Sequence, residues 1–100
     1  MEINITDGAQ TIITVKGRLD TVSAPAFEKA VAPVMDGDMK EIVIDCAGLD
    51  YISSSGLRIF LSLRKAAAAK EGILMIRNMN ENIKEIFDMT GFTGLFIFEA

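Results

Sequence analysis

The chain has no histidine and only one cysteine, Cys46. It therefore lacks the ordinary ligand set for zinc and the usual base for a nucleophilic serine, and it cannot close an internal disulfide. No apolar run approaches the roughly 20 residues that cross a bilayer. The opening MEINITDGAQ has no basic flank leading into an apolar stretch, so neither membrane insertion nor export is expected. Basic side chains are scarce as well: ten stand against fourteen acidic ones, a net charge of −4. That balance argues against gripping a nucleic-acid backbone or an anionic membrane. These absences together point to a soluble protein of a reducing cytoplasm.

What is present is apolar mass. Half of the 100 residues are hydrophobic, enough for a single domain spanning 1–100 to bury a core without staples. Residues 2–6 and 11–19 alternate β-branched and polar side chains around DGAQ, which predicts a hairpin. In TVSAPAFEKAVAPVM, Ser23 is a candidate N-cap and Pro25 suits a first turn. Phe27, Ala30, Val31 and Val34 recur at helical spacing, and Pro33 predicts a kink or an early end. EIVIDCAGL has the continuous apolar character of a strand covered on both faces, with a turn expected after Cys46. A second helix follows with Leu57, Phe60, Leu61 and Arg64 on one side, then a strand in GILMIRN. NENIKEIFDMTG reads as a capped helix with Ile83, Ile86 and Phe87 inward and Gly91 as its stop, before a last strand in LFIFEA. Strands alternating with helices after an antiparallel opening give an α/β fold: a small, mainly parallel mixed sheet with an N-terminal hairpin and helices packed on it. Ligands and partners meet such sheets at the carboxyl ends of the strands.

The segment DYISSSGLRIF sits at that end. One of Ser53 and Ser54 is needed to cap the helix, for about 1 kcal/mol; three serines are more than a cap requires. A nucleophile elbow would place glycine two residues before the serine, where Ile52 or Ser53 stands, and no Walker-type loop is present, so no enzyme activity is expected. A third reading makes a serine the acceptor of a phosphoryl group. The amides of Ser55, Gly56 and Leu57 and the helix dipole would favour negative charge there, and Gly56 would leave the approach open. An added charge of about −1.5 to −2 would repel a partner built for a neutral hydroxyl.

VKGRLDTVSAPAFEKAV, EIVIDCAGLDYISSSGLRIF and IKEIFDMTGF, in that order, make the chain resemble a STAS domain of the bacterial anti-sigma factor antagonist type. The resemblance implies a protein that binds an ATP-using anti-sigma factor serine kinase and so releases a sigma factor. Phosphorylation by that kinase would end the complex and a serine phosphatase would restore it. It places the phosphoserine at Ser54 and a partner surface on Arg18, Asp20 and Thr21, beside Ser53, Ser55, Gly56, Leu57 and Arg58. Asp20 has a competing reading as a turn or cap residue. The family usually carries aspartate where this chain has Ser53, which removes a charge or creates a second acceptor. The terminal helix often seen in the family is short or missing after FIFEA, leaving one flank of the sheet less covered. The alternative function is a constitutive STAS scaffold, for example in a transporter complex, whose serines only cap. A monomer or weak dimer is expected, since an edge strand such as 2–6 could pair. No cofactor is implied. Cys46 and the six methionines read as packing, and Arg58, Arg64, Lys65 and Lys70 as a solvated helix face.

Overall fold

The computed structural model describes residues 1–38 and 40–99. Strands β1 (Glu2–Asp7) and β2 (Thr11–Leu19) form the expected hairpin, with Ile5 opposite Ile13 and Ile3 opposite Val15. The Thr11 hydroxyl donates to Asp7 Oδ1 at 3.0 Å and closes the turn. Then come α1 (Ala24–Asp36), β3 (Glu41–Ile52), α2 (Ser54–Ala69), β4 (Ile73–Arg77), α3 (Glu81–Thr90) and β5 (Ile97–Phe98). A 3-10 turn at Thr93–Leu95 precedes β5. The sheet order is β1-β2-β3-β4-β5, parallel from β2 onward.

Each parallel strand is added on the same side of its predecessor, so right-handed crossovers put all three helices on one face. The packing agrees. Phe27 of α1 meets Phe60 of α2 with ring centroids 5.8 Å apart, and Phe60 meets Phe87 of α3 at 6.3 Å. Below this line lie the inward residues of the sheet: Ile13 and Val15, Ile42 and Ile44, Leu74 and Ile76, all buried in one cluster.

Several expectations are corrected. Strand β3 has helices on one face only. Val43, on the other, is buried because it stands in the central strand between Ile12 and Met75. The strand also runs on to Ile52, so Cys46 is mid-strand and the turn lies later. Two register shifts against β2, between Thr14 and Lys16 and between Gly17 and Arg18, each place an extra residue in β3 and accompany its extra length, with Gly17 at φ +92°. Helix α1 does not end early at Pro33 but runs on to Asp36, with the proline on its exposed side. In α2 the inward stripe is Leu57, Phe60, Leu63 and Ala67; Leu61 is half-buried and Arg64 points to solvent. Lys70 is not a solvated charge, for its ammonium donates to the carbonyls of Val34 (3.2 Å) and Met35 (2.9 Å) and closes the end of α1. Met89 is exposed rather than packed, and Met39 lies outside the described residues. Helix α3 is as predicted, with Asn80 Oδ1 accepting from the Ile83 amide at 3.0 Å and Gly91 ending it at φ +77°.

Candidate functional site

Parallel pairing brings Arg18 opposite Tyr51 and Leu19 opposite Ile52, so β2 and β3 finish side by side. The Ser53 amide then donates to the Leu19 carbonyl at 2.8 Å. Two helix N-termini consequently emerge together at the carboxyl edge of the sheet, and they are finished in different ways.

The turn before α1 is closed by Asp20. Its Oδ1 accepts from the amides of Val22 (3.1 Å) and Ser23 (2.9 Å), while the Asp20 amide donates back to Ser23 Oγ at 2.9 Å. This is a reciprocal capping box. Ser23 directly precedes α1 but makes no side-chain cap of its own; the cap predicted there belongs to Asp20, one turn earlier. Ser23 Oγ donates to the Arg18 carbonyl at 2.9 Å, which locks the turn to the strand. The amide and hydroxyl of Ser23, the Val22 amide and the positive charge of Arg18 hold the Asp20 carboxyl below its ordinary value. Arg18 Nε lies 4.0 Å from Asp20 Oδ2, and its guanidinium sits 4.6 Å from the centre of the Tyr51 ring. Thr21 is exposed at the tip. Beside it Val22 is 89% exposed, an apolar side chain on this surface that the reading of the sequence passed over. Its signal was there in DTVSAP, a branched apolar residue amid turn chemistry.

The start of α2 is closed by Ser53. Its hydroxyl accepts from the Gly56 amide at 3.3 Å and its carbonyl from the Leu57 amide at 2.9 Å. Ser53 is only 8% exposed, so its hydroxyl serves as the cap and does not stand open at the surface. Two of the three amides expected to face the modified serine are thereby already used. Among the described residues, it is the amides of Ser54 and Ser55 that meet no acceptor. Ser54 is exposed and Ser55 half-buried.

Gly56 and Leu57 lie beneath the surface. Leu57 is fully buried, and a Cβ on Gly56 would stand 2.8 Å from Leu19 Cγ and 2.9 Å from Ile52 Cγ1. The glycine therefore serves close packing of α2 on the ends of β2 and β3, and not an open approach for a partner. Arg58 is exposed one turn into α2. Between α1 and α2 runs a cleft of about 360 Å³ lined by Thr21, Pro25, Glu28, Ser55, Arg58 and Ser62. The residues singled out in the sequence are thus gathered at one edge in two layers: Arg18, Thr21, Ser54 and Arg58 outside, Ser53, Gly56 and Leu57 below.

Such an edge offers a neutral hydroxyl at the positive end of a helix, with two free amides beside it, on a surface where chain entry and helix start are hydrogen-bonded together. Among the described residues no cluster of three or more potential ligands could hold a metal ion, and no helix is long and apolar enough to cross a membrane. Cys46 is buried in the core, where loss of hydration and then the neighbouring Asp45 charge push its thiol up to about 12.

A STAS-domain family model matches residues 1–100. BtrV of Bordetella bronchiseptica is 31% identical over 85 residues, which cover 85% of this chain and 73% of BtrV. The anti-sigma-B factor antagonist of Staphylococcus epidermidis is 29% identical over 83 residues, 83% of this chain and 77% of that protein. In shape the chain is similar to the Bacillus protein SpoIIAA, at 16% identity. The TM-score is 0.82 to its unphosphorylated form and 0.74 to its phosphorylated form; 99% of this chain is covered in both, with 89% and 92% of theirs.

Proposed function

This chain belongs to the STAS-domain family, and from that premise we propose that it is an anti-sigma factor antagonist switched by phosphorylation of Ser54. In the unmodified state it binds a cognate anti-sigma factor that is also a serine kinase, and so frees a sigma factor. The contact surface is Arg18, Asp20, Thr21 and Val22 on the turn before α1, with Ser54, Ser55 and Arg58 on α2. Ser53, Gly56 and Leu57 hold that surface in place from below.

The observation that carries this reading is the division of labour among the three serines. Ser53 spends its hydroxyl on the cap, whereas Ser54 is exposed and its side chain has no partner among the described residues. The kinase's base would take the Ser54 hydroxyl proton as Oγ bonds to the γ-phosphorus of ATP; the bond from that phosphorus to the β–γ bridging oxygen breaks and ADP leaves. The product is a group of charge about −1.5 to −2 near two open amides and a helix dipole that favours it. It needs no refolding to be tolerated, and it turns attraction for the partner into repulsion. A serine phosphatase reverses the step by water attack on the same phosphorus. Names of relatives support the same reading: the S. epidermidis protein is an anti-sigma-B factor antagonist, and SpoIIAA exists in a phosphorylated form.

The test is binding to the cognate kinase, together with labelling from γ-phosphate-labelled ATP. Ser54→Ala is expected to bind as the unmodified protein does and to take no label; Ser54→Asp is expected to lose binding at least tenfold. Equal binding by both variants, or label on Ser54→Ala, would overturn the switch. The first of those outcomes would leave the constitutive scaffold.

A further inference from the structure

We propose that Arg58 is the internal partner of a phosphate on Ser54, so that the mark cancels a positive charge of the docking surface while adding its own negative charge. This rests on the reading of Ser54 as the acceptor.

Ser54 is the first residue of α2 and Arg58 stands four positions on. Residues so spaced are neighbours on one helix face, and an anion N-terminal to a cation at that spacing is the favourable orientation. Helical side chains lean toward the N-terminus, so a long side chain at position 58 covers the turn that holds Ser54 and Ser55. Both Ser54 and Arg58 are exposed, and Arg58 shares a cleft wall with Ser55.

The other charges at this edge are placed differently. Arg18, from β2, is occupied by the Tyr51 ring and by Asp20. The Asp20 carboxylate, from the turn before α1, accepts the amides of Val22 and Ser23. Glu28 of α1 lines the far side of the cleft, and Asp50 lies near the end of β3, exposed. Arg58 forms no ion pair among the described residues. It is therefore free to pair when a dianion appears one turn away, where a guanidinium fork matches two phosphate oxygens. The free amides of Ser54 and Ser55 lie on the same turn and complete a cradle of donors.

The experiment uses the full chain with phosphoserine installed at position 54 during synthesis, so that no kinase is needed, and follows the second phosphate ionisation by 31P NMR. In the parent protein this ionisation is expected to fall lower than in Arg58→Ala by about 0.3 of a pH unit or more at low salt. The gap should shrink as salt is raised. Arg58→Lys should keep part of it, and Arg64→Ala, exposed further along the same helix, should leave the ionisation where it is. Coincident titrations of the parent and Arg58→Ala overturn the pairing. A kinase that never labels Ser54 in the unmodified protein instead defeats the functional reading and leaves the measured pair intact.

Discussion

Two helix N-termini stand side by side in this molecule, and nearly all of the site follows from how differently they are closed. At α1 the cap is a carboxylate, Asp20, that has taken the free amides of its turn and is paid back by the Ser23 hydroxyl. The positive end of that helix is already neutralised from within. At α2 the cap is an uncharged, buried hydroxyl, Ser53, which serves Gly56 and leaves Ser54 and Ser55 with open amides. One end is finished and the other is left able to receive an anion. The lesson is that a serine cap leaves a helix end without the fixed negative charge that an aspartate cap supplies.

The strongest way to break this pair is through the glycine that joins the two turns. Gly56→Val would drive branched carbons into Leu19 and Ile52, which already approach a Cβ to within 2.9 Å. We expect a loss of about 1–3 kcal/mol by urea denaturation, the range for overpacking a tight core position, with kinase binding lost in parallel. Next in size is Ser53→Ala, which removes the cap of α2 for about 1 kcal/mol while labelling of Ser54 continues. Loss of labelling with stability unchanged would mean that Ser53 is not the cap. Asp20→Asn is subtler, because the amide keeps the geometry and drops the charge. The native carboxyl titrates below its ordinary value of 3.8, mainly through hydrogen bonding to Ser23. Its contribution is therefore present above that value and disappears as pH falls through the lower folded value. Denaturation midpoints of the two proteins should differ at pH 7 and converge in strong acid; a constant difference would refute the assignment. Smallest of all is the effect expected at Cys46, whose raised thiol and burial should keep it unlabelled by iodoacetamide at neutral pH until the fold opens, as read by mass spectrometry.

Local patterns in the chain predicted local structure well. The alternation in residues 2–6 and 11–19, the Asn80 and Gly91 boundaries of α3 and the alternating order of strands and helices all carry their own short-range physics. What stayed open or failed was decided at a distance. Three successive hydroxyls are chemically equal, and which one caps depends on where β3 ends, set by its pairing with β2 as far as Leu19 and Ile52. Gly56 could not be given its packing role without knowing that Leu19 lies against it. The phase of α2 is ambiguous in sequence because Leu61 and Arg64 fit a helical spacing almost as well as Leu63 and Ala67, and only the sheet beneath chooses between them. Family resemblance rather than composition singled out Arg18, Thr21, Ser54 and Arg58, which the fold leaves exposed at one edge. Val22 was missed because one apolar side chain in a turn carries no periodic signal.

Gly56 has a last implication, for time rather than space. It seats α2 so directly on the ends of two strands that even one added carbon would meet Leu19 and Ile52, and on the proposed reading a group on Ser54 would act through its charge rather than by shifting the helix. Under that proposal the history of a signal would be held in a phosphate ester. How long the off state lasts would be set by the enzymes that make and cut that bond.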